Sequence, residues 1–213
     1  MPQVETELKF LLEREAYYSL YRYLKLKGYR LHLTRQVNYY FAASRTSPAL
    51  HLASTRIRYV RGRYELTCKI PINETTGDEA QNCYEYNADI SCEKAFQYIN
   101  QGLSVQAQRR LFGNMDQAHG IPMADLHCFG HLRTARFAFS IRKDLPALLL
   151  DSNAYLGTFD YELEWELKQI ETANKLLQSL FRELGIQPVH QKIPKVKRFF
   201  DRLTAINLSK NNI

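Results

Sequence analysis

The chain has 213 residues and a formal net charge of +7, with 45% hydrophobic and 24% charged residues. That composition excludes a disordered or low-complexity chain and allows a large core. The basic balance favours anionic partners: nucleic acid, phosphorylated metabolites or an acidic membrane surface. The start, MPQVETELKF, places acidic residues where a secretory leader carries a basic region and an apolar core. No apolar run reaches membrane-spanning length; the longest, at 148–150, is far too short. The cysteines Cys68, Cys83, Cys92 and Cys128 show no CxxC spacing. They are expected to be free thiols in a cytoplasmic protein, with no structural zinc and no membrane partner.

In chain order, alternation predicts a first strand at 3–10 and a helix at 13–27 that ends before Gly28. Strands follow at 31–41, 54–60, 63–70 and 83–90. A helical insert spans about 92–127; Ser91 caps its first helix, and Gly102, Gly113 and Pro122 divide it. Three more strands are predicted at 129–141, 147–153 and 158–167. The last helix, 168–184, carries an apolar stripe of Ile170, Ala173, Leu176, Leu177, Leu180 and Leu184 before Gly185. Tight turns at Arg61 and Gly62, at 144–146, and at Gly157 and Thr158 imply antiparallel neighbours. The expectation is one α+β domain over 1–213 with eight strands.

Strand parity sorts the charges. A strand sends residues i, i+2 and i+4 to one face. Glu5, Glu7 and Lys9 share a face opposite Val4, Leu8 and Phe10. Arg56 and Arg58 oppose Ile57, and Glu65, Thr67 and Lys69 oppose Leu66, Cys68 and Ile70. Glu162, Glu164 and Glu166 oppose Tyr161, Leu163, Trp165 and Leu167. Any one such strand fits a solvated surface. A row of three carboxylates repels itself unless water, cations or basic neighbours offset it. An open sheet with its charged side in water satisfies these faces, and so does a closed barrel with a polar lumen. Closure is preferred, because it removes exposed edges.

A lumen holding both signs suits one task. Lys and Arg neutralise phosphate oxygens, and clustered carboxylates suit magnesium or manganese. The cation then bridges phosphate charge and positions a water. No Ser/His/Asp or Cys/His arrangement stands out, and no GxxxxGK[ST] loop is present.

Glu5-Thr6-Glu7-Leu8-Lys9 resembles the ExExK signature of the CYTH, or triphosphate tunnel metalloenzyme, superfamily. An ordered set of similar positions follows: Tyr40-Phe41, Arg56-Ile57-Arg58, Leu66-Thr67-Cys68-Lys69, Glu85, Thr134-Ala135-Arg136, Asp151, Glu162-Leu163-Glu164, Lys195 and Arg198. The resemblance covers residue 3 to about 200 and looks closest to bacterial members with a central helical insert. It implies an eight-stranded antiparallel tunnel that binds a triphosphate with divalent metal. By that resemblance Glu5, Glu7, Glu162 and Glu164 form the metal side, assisted by Asp151 and Glu85. Lys9, Arg56, Arg58, Lys69 and Arg136 bind phosphate oxygens, and Lys195 closes the site or orients the attacking water. Two positions depart from the pattern: Asn87 stands where a second acid often follows Glu85, and Pro194 replaces the usual serine before Lys195.

The implied activity is Mg2+- or Mn2+-dependent hydrolysis of inorganic tripolyphosphate or thiamine triphosphate, by a monomer or homodimer. Adenylate cyclase is the alternative within the superfamily. A polyphosphate- or RNA-binding module is the alternative outside catalysis. Arg109-Arg110 and the basic run 192–198 are read as a solvated helix face and tunnel closure rather than as nucleic-acid contacts. The histidines lack close ligand spacing, and the many aromatic residues are read as strand packing. Parity places Arg133 opposite Arg136, and the motif favours Arg136 for phosphate.

Overall fold

A computed structural model describes residues 2–43, 53–72, 81–167, 170–190 and 193–211. The elements run β1 (Gln3–Leu12), α1 (Arg14–Leu26), β2 (Arg30–Ala42), β3 (Ser54–Val60), β4 (Arg63–Pro71) and β5 (Gln81–Ile90). Helices α2 (Cys92–Gln101), α3 (Val105–Phe112) and α4 (Met115–His119) form the insert. Then come β6 (His127–Ser140), β7 (Leu148–Tyr155), β8 (Thr158–Glu166), α5 (Ile170–Leu184), β9 (Val189–His190) and α6 (Lys195–Asn211).

The strand order is β5-β4-β3-β2-β6-β7-β8-β1, and a β5–β1 pairing closes the ring into an eight-stranded antiparallel barrel. β1 performs the closure by splitting its length. Residues 3–7 pair with β5 and residues 7–12 with β8, while short β9 adds to Phe10 and Leu11. The tight turns follow the hairpin rule: Arg61 and Gly62 both have positive φ, as do Leu156 and Gly157. The second turn thus lies one residue before the predicted Gly157–Thr158 pair, and Thr158 already pairs with Tyr155.

Outward-facing apolar residues meet helices on two sides. Leu8, Phe10, Leu150, Leu163 and Trp165 pack against α1 and α5 through Leu20, Leu24, Leu177 and Phe181. Ile57, Leu66, Cys68 and Ile70 pack against the insert through Ala95, Ala107, Phe112 and Met115. In α5 the predicted stripe shifts by a fraction of a turn: Phe181 is buried and Leu176 is 38% exposed. The side chain of Ile170 and residues 168–169 lie outside the described part. Ser91 caps α2 as expected, its hydroxyl accepting from the Lys94 N–H at 3.2 Å.

Two elements go beyond the predicted set, β9 and the 17-residue helix α6. Val196, Phe199 and Phe200 of α6 join Tyr40, Ala42 and Leu132 in a third apolar cluster. Tyr40 pairs with Arg56 and Leu132 with Asn38, so α6 caps the barrel at the end where β2 finishes. Gly130 makes room for it: a Cβ there would lie 2.7 Å from the Phe199 ring. Docking of α6 fixes how its first turn enters the lumen. Among the described residues no helix is long and apolar enough to cross a membrane.

Candidate functional site

The lumen side chains divide into three groups. The first is built on neighbouring strands β7 and β8, where Asp151 pairs with Glu162 across the ladder. Carboxylate oxygens of Asp151, Glu162 and Glu164 lie within 4.8 Å of one another, and all three residues are buried. Four cations hold this charge. Arg136 forks onto Asp151 with two 2.7 Å bonds and reaches Glu164 at 2.5 Å. Lys195, the first residue of α6, bonds Asp151 and lies 3.0 Å from Glu162 and 3.1 Å from Glu164. Lys9 bridges Glu7 at 2.7 Å and Glu164 at 3.2 Å. Arg198, one turn along α6 from Lys195, binds Glu162 at 2.8 Å and Asp160 at 3.1 Å.

The electrostatics follow from burial against pairing. Burial alone would raise the Glu164 carboxyl, but Lys195, Lys9 and Arg136 outweigh it and hold Glu164 well below the carboxylate range. Asp151 is lowered in the same way: burial opposes its charge, and Arg136 and Lys195 restore it. Burial also opposes the charge on Lys195, yet Asp151, Glu162 and Glu164 push its pKa above the ordinary lysine value. These ion pairs favour the protonated form of Lys195.

The second group joins β1, β4 and β5. Lys69 bonds Glu5 and lies 2.8 Å from Glu85. Cys83 donates to Glu5 at 3.3 Å, and Asn87 donates to Glu85 at 2.8 Å. Burial lifts Glu5 to about 7 against the pull of Lys69, with Glu7 and Glu85 adding to the lift. Burial would raise Glu85 too, but Lys69 and the bonds it receives bring it down to about 2. The two carboxyls are thus driven in opposite directions, Glu5 above the ordinary glutamate value and Glu85 below it.

A carboxyl with a raised folded-state pKa contributes stability below its unfolded value and loses it as pH rises through the folded one. Metal-free protein should therefore lose about 1–3 kcal/mol between the ordinary glutamate value of 4.5 and about 7 as Glu5 ionises. Glu5→Gln should remove that slope. Thermal melts in chelator across pH check it, and parallel profiles for the two proteins would count against the buried ionisation.

The third group is cationic. Arg58 donates to Asn38 at 3.4 Å and lies 3.8 Å from Glu65. Burial, then the neighbouring charges of Arg56 and Arg136, pull its pKa down to about 10. Among the described residues, Arg56 Nε is buried with no hydrogen-bond partner. Such a donor is costly unless an acceptor arrives, and a phosphate oxygen is the natural one.

The sequence-predicted residues Glu7, Lys9, Arg136, Asp151, Glu162, Glu164 and Lys195 thus converge in one buried network. Glu5, Glu85 and Lys69 form a separate cluster, and Arg56 and Arg58 line β3. Arg133 is exposed, opposite in facing to Arg136. Glu166, in line with Glu162 and Glu164, is exposed at the end of β8. Sequence reasoning omitted Asn38, Asn153 and Asp160 and placed Arg198 only in the basic run that closes the tunnel. Asn153 donates to Asp160 at 2.8 Å and Glu162 at 2.9 Å, and it accepts from Thr134 at 2.7 Å. Parity carried the signal, since Asn153 is two residues from Asp151 and Asp160 two from Glu162. Among the described residues no candidate metal cluster contains a histidine. The donor chemistry of Asp151, Glu162 and Glu164 is all oxygen and fits a hard divalent cation; the Glu5, Cys83 and Glu85 group adds sulfur.

A closed antiparallel barrel whose lumen carries both acidic and basic side chains defines a charged-tunnel fold. A family model described as the CYTH domain matches residues 3–199, and the chain belongs to that family. It is 25% identical over 202 residues to the Bacillus subtilis protein named "Putative triphosphatase YjbK", covering 93% of this chain and 95% of that one. The solved structure of HpAC1 from Hippeastrum is similar with a TM-score of 0.75 at 21% identity, over 92% of this chain and 94% of that one. HpAC1 is described as a "putative adenylyl cyclase" with a dominant triphosphatase activity. A "putative adenylate cyclase" from Bacillus halodurans matches with a TM-score of 0.69 at 24% identity, over 93% and 98%.

Proposed function

We propose that this protein is a metal-dependent triphosphatase that hydrolyses a linear triphosphate, either inorganic tripolyphosphate or thiamine triphosphate. The observation that carries the reading is the two-sided lumen. Three buried carboxylates are surrounded by Arg136, Lys195, Lys9 and Arg198, and among the described residues the buried Arg56 Nε on β3 has no hydrogen-bond partner. The name of the Bacillus subtilis relative points the same way.

In this reading Arg56, Arg58, Lys69 and Arg136 hold phosphate oxygens, and Lys9 and Lys195 balance the acidic wall. Asp151, Glu162 and Glu164, with Glu5, Glu7 and Glu85, would hold Mg2+ or Mn2+. When bound, that metal would neutralise phosphate charge and supply a polarised water. Attack of water on the terminal phosphorus would break the anhydride P–O bond, giving phosphate and either pyrophosphate or thiamine diphosphate as the leaving group, with the proton of the water passing to solvent. Catalysis is positioning and charge stabilisation, with no covalent nucleophile required.

The test is phosphate release from tripolyphosphate, thiamine triphosphate and nucleoside triphosphates with magnesium or manganese, and with chelator. Release should vanish in chelator. Glu7→Gln should lower turnover by about a thousandfold, as loss of one preorganised charge in such a site does, while its circular dichroism stays that of the wild type. Normal turnover in the folded variant would remove Glu7 from the machinery. Cyclic AMP formed from ATP in place of released phosphate would instead make it a cyclase.

A further inference from the structure

The helices that cover the barrel on two sides leave a strip of sheet between them. On one border Tyr21 of α1 packs on Phe137 of β6 at 4.7 Å. On the other, Phe96 of α2 packs on Tyr64 of β4 at 6.1 Å. Between these borders the outer face of β3, β2, β6 and β7 is open to solvent, with Tyr59, Arg35, His131 and Arg133 exposed. One rung of the ladder crosses the strip from end to end. Tyr64 pairs with Tyr59, Tyr59 with Val37, Val37 with Arg133, Arg133 with Ala154, and Ala154 with Phe159. Directly paired residues share a face, so all six point away from the lumen. Strands lie about 4.8 Å apart, so the rung spans about 24 Å along the sheet.

The ends of the strip are aromatic and its centre is cationic. Tyr59 is 37% exposed, Phe159 66%, and Phe96 beside Tyr64 53%. The Tyr59 ring leans on Tyr64 with centroids 4.8 Å apart, which holds it in place as a platform. Ala135, Ser152 and Ala154 are small, so the middle is lower than the ends. Arg35 pairs with Ala135 and Arg133 with Val37, which makes the two arginines diagonal neighbours, about 7–8 Å apart at the backbone. Like charges so placed repel unless an anion lies between them. The strands offer none: β2, β3 and β6 contain no Asp or Glu, and Asp151 of β7 is buried in the lumen.

We propose that this strip binds single-stranded nucleic acid, its phosphates on Arg35 and Arg133 and its bases on the exposed rings of Tyr59 and Phe159. The inference goes beyond the triphosphatase reading and does not depend on it, because the strip and the lumen are opposite faces of the sheet. Exposed rings on a sheet stack bases of any sequence, and a cationic track holds the backbone between them. A strip of this length suits about four nucleotides, the lower end of what a small barrel holds. A second copy of the chain would set arginine against arginine. An acidic peptide would satisfy the arginines but has no planar groups for the rings.

Fluorescence anisotropy with a labelled oligouridylate or oligothymidylate that carries no terminal phosphate tests the strip. The wild type should bind it, with a Kd that rises steeply with salt. The double variant Arg35→Glu/Arg133→Glu should raise Kd tenfold or more while its circular dichroism stays that of the wild type. If that variant does not fold, Arg35→Gln/Arg133→Gln takes its place. Tyr59→Ala should raise Kd about tenfold, the share of one stacked base. Lys69→Ala, on the lumen face, should bind the oligonucleotide as the wild type does. A wild type that does not bind overturns the proposal, as does a folded arginine variant with unchanged Kd. Loss of binding in Lys69→Ala alone would place the strand in the lumen and reject the strip. Polyglutamate competing as well as the oligonucleotide, with Tyr59→Ala unchanged, would make the strip a seat for an acidic protein instead.

Discussion

Arg136→Ala should destabilise the metal-free protein by about 3–5 kcal/mol, the cost of leaving buried carboxylates without their partner. Arg136 is the only cation that forks onto Asp151 among the described residues, and it also reaches Glu164 at 2.5 Å. Both acids are buried, so water cannot take over the role of the guanidinium. Lys195 and Lys9 would remain but are already shared with Glu162 and Glu7. The loss should be partly reversible by magnesium. A cation that binds only the folded protein, at a hundred times its Kd, returns about 2.7 kcal/mol. Arg136→Lys should keep the charge but not the fork and fall between the two. Exposed Arg133→Ala, three residues away, should change stability by no more than about 0.5 kcal/mol. Urea denaturation in chelator and in magnesium reads all four proteins. A small effect for Arg136→Ala in chelator would mean that the acidic wall is neutralised by other means.

The legible part of this molecule was the part with period two. Each predicted strand matches an observed one within about three residues at either end, because an apolar outer face and a charged lumen face alternate along all of them. The same parity put Arg136 inside and Arg133 outside. It did not decide between an open sheet and a barrel, since that depends on β1 pairing with both β5 and β8. Helix α6 went unread for a different reason. Val196, Phe199, Phe200 and Leu203 have helical spacing, but the dense Lys and Arg among them were read as a basic run closing the tunnel, with no helix assigned. Once α6 is docked by Phe199 against Gly130, Lys195 and Arg198 reach the lumen acids while Lys197 stays exposed. Asn153 and Asp160 were missed because polar, weakly charged positions in a strand look like surface until their neighbours are known to be buried.

Lys195→Ala should lower kcat by about a hundredfold to a thousandfold, as removal of one preorganised charge from a phosphoryl site does. The same variant should need less metal for half-maximal activity. The two effects have one cause. Lys195 Nζ lies against Asp151, Glu162 and Glu164, the same oxygen set that fits a divalent cation. Two positive charges compete for those oxygens, so deleting the lysine lets the carboxylates bind metal more tightly. The fold should survive, because α6 is anchored by Val196, Phe199 and Phe200 rather than by its first residue. Since the three acids hold the Lys195 pKa above the ordinary lysine value, its loss should not remove a basic limb from the pH–rate profile. Metal titrations of activity for wild type, Lys195→Ala and Lys195→Arg separate the possibilities. A lower kcat with a tighter metal requirement supports a charge that moves between acids and phosphate. A lower kcat with a weaker requirement would instead make Lys195 a brace for the carboxylates, and a vanished basic limb would make it a proton acceptor.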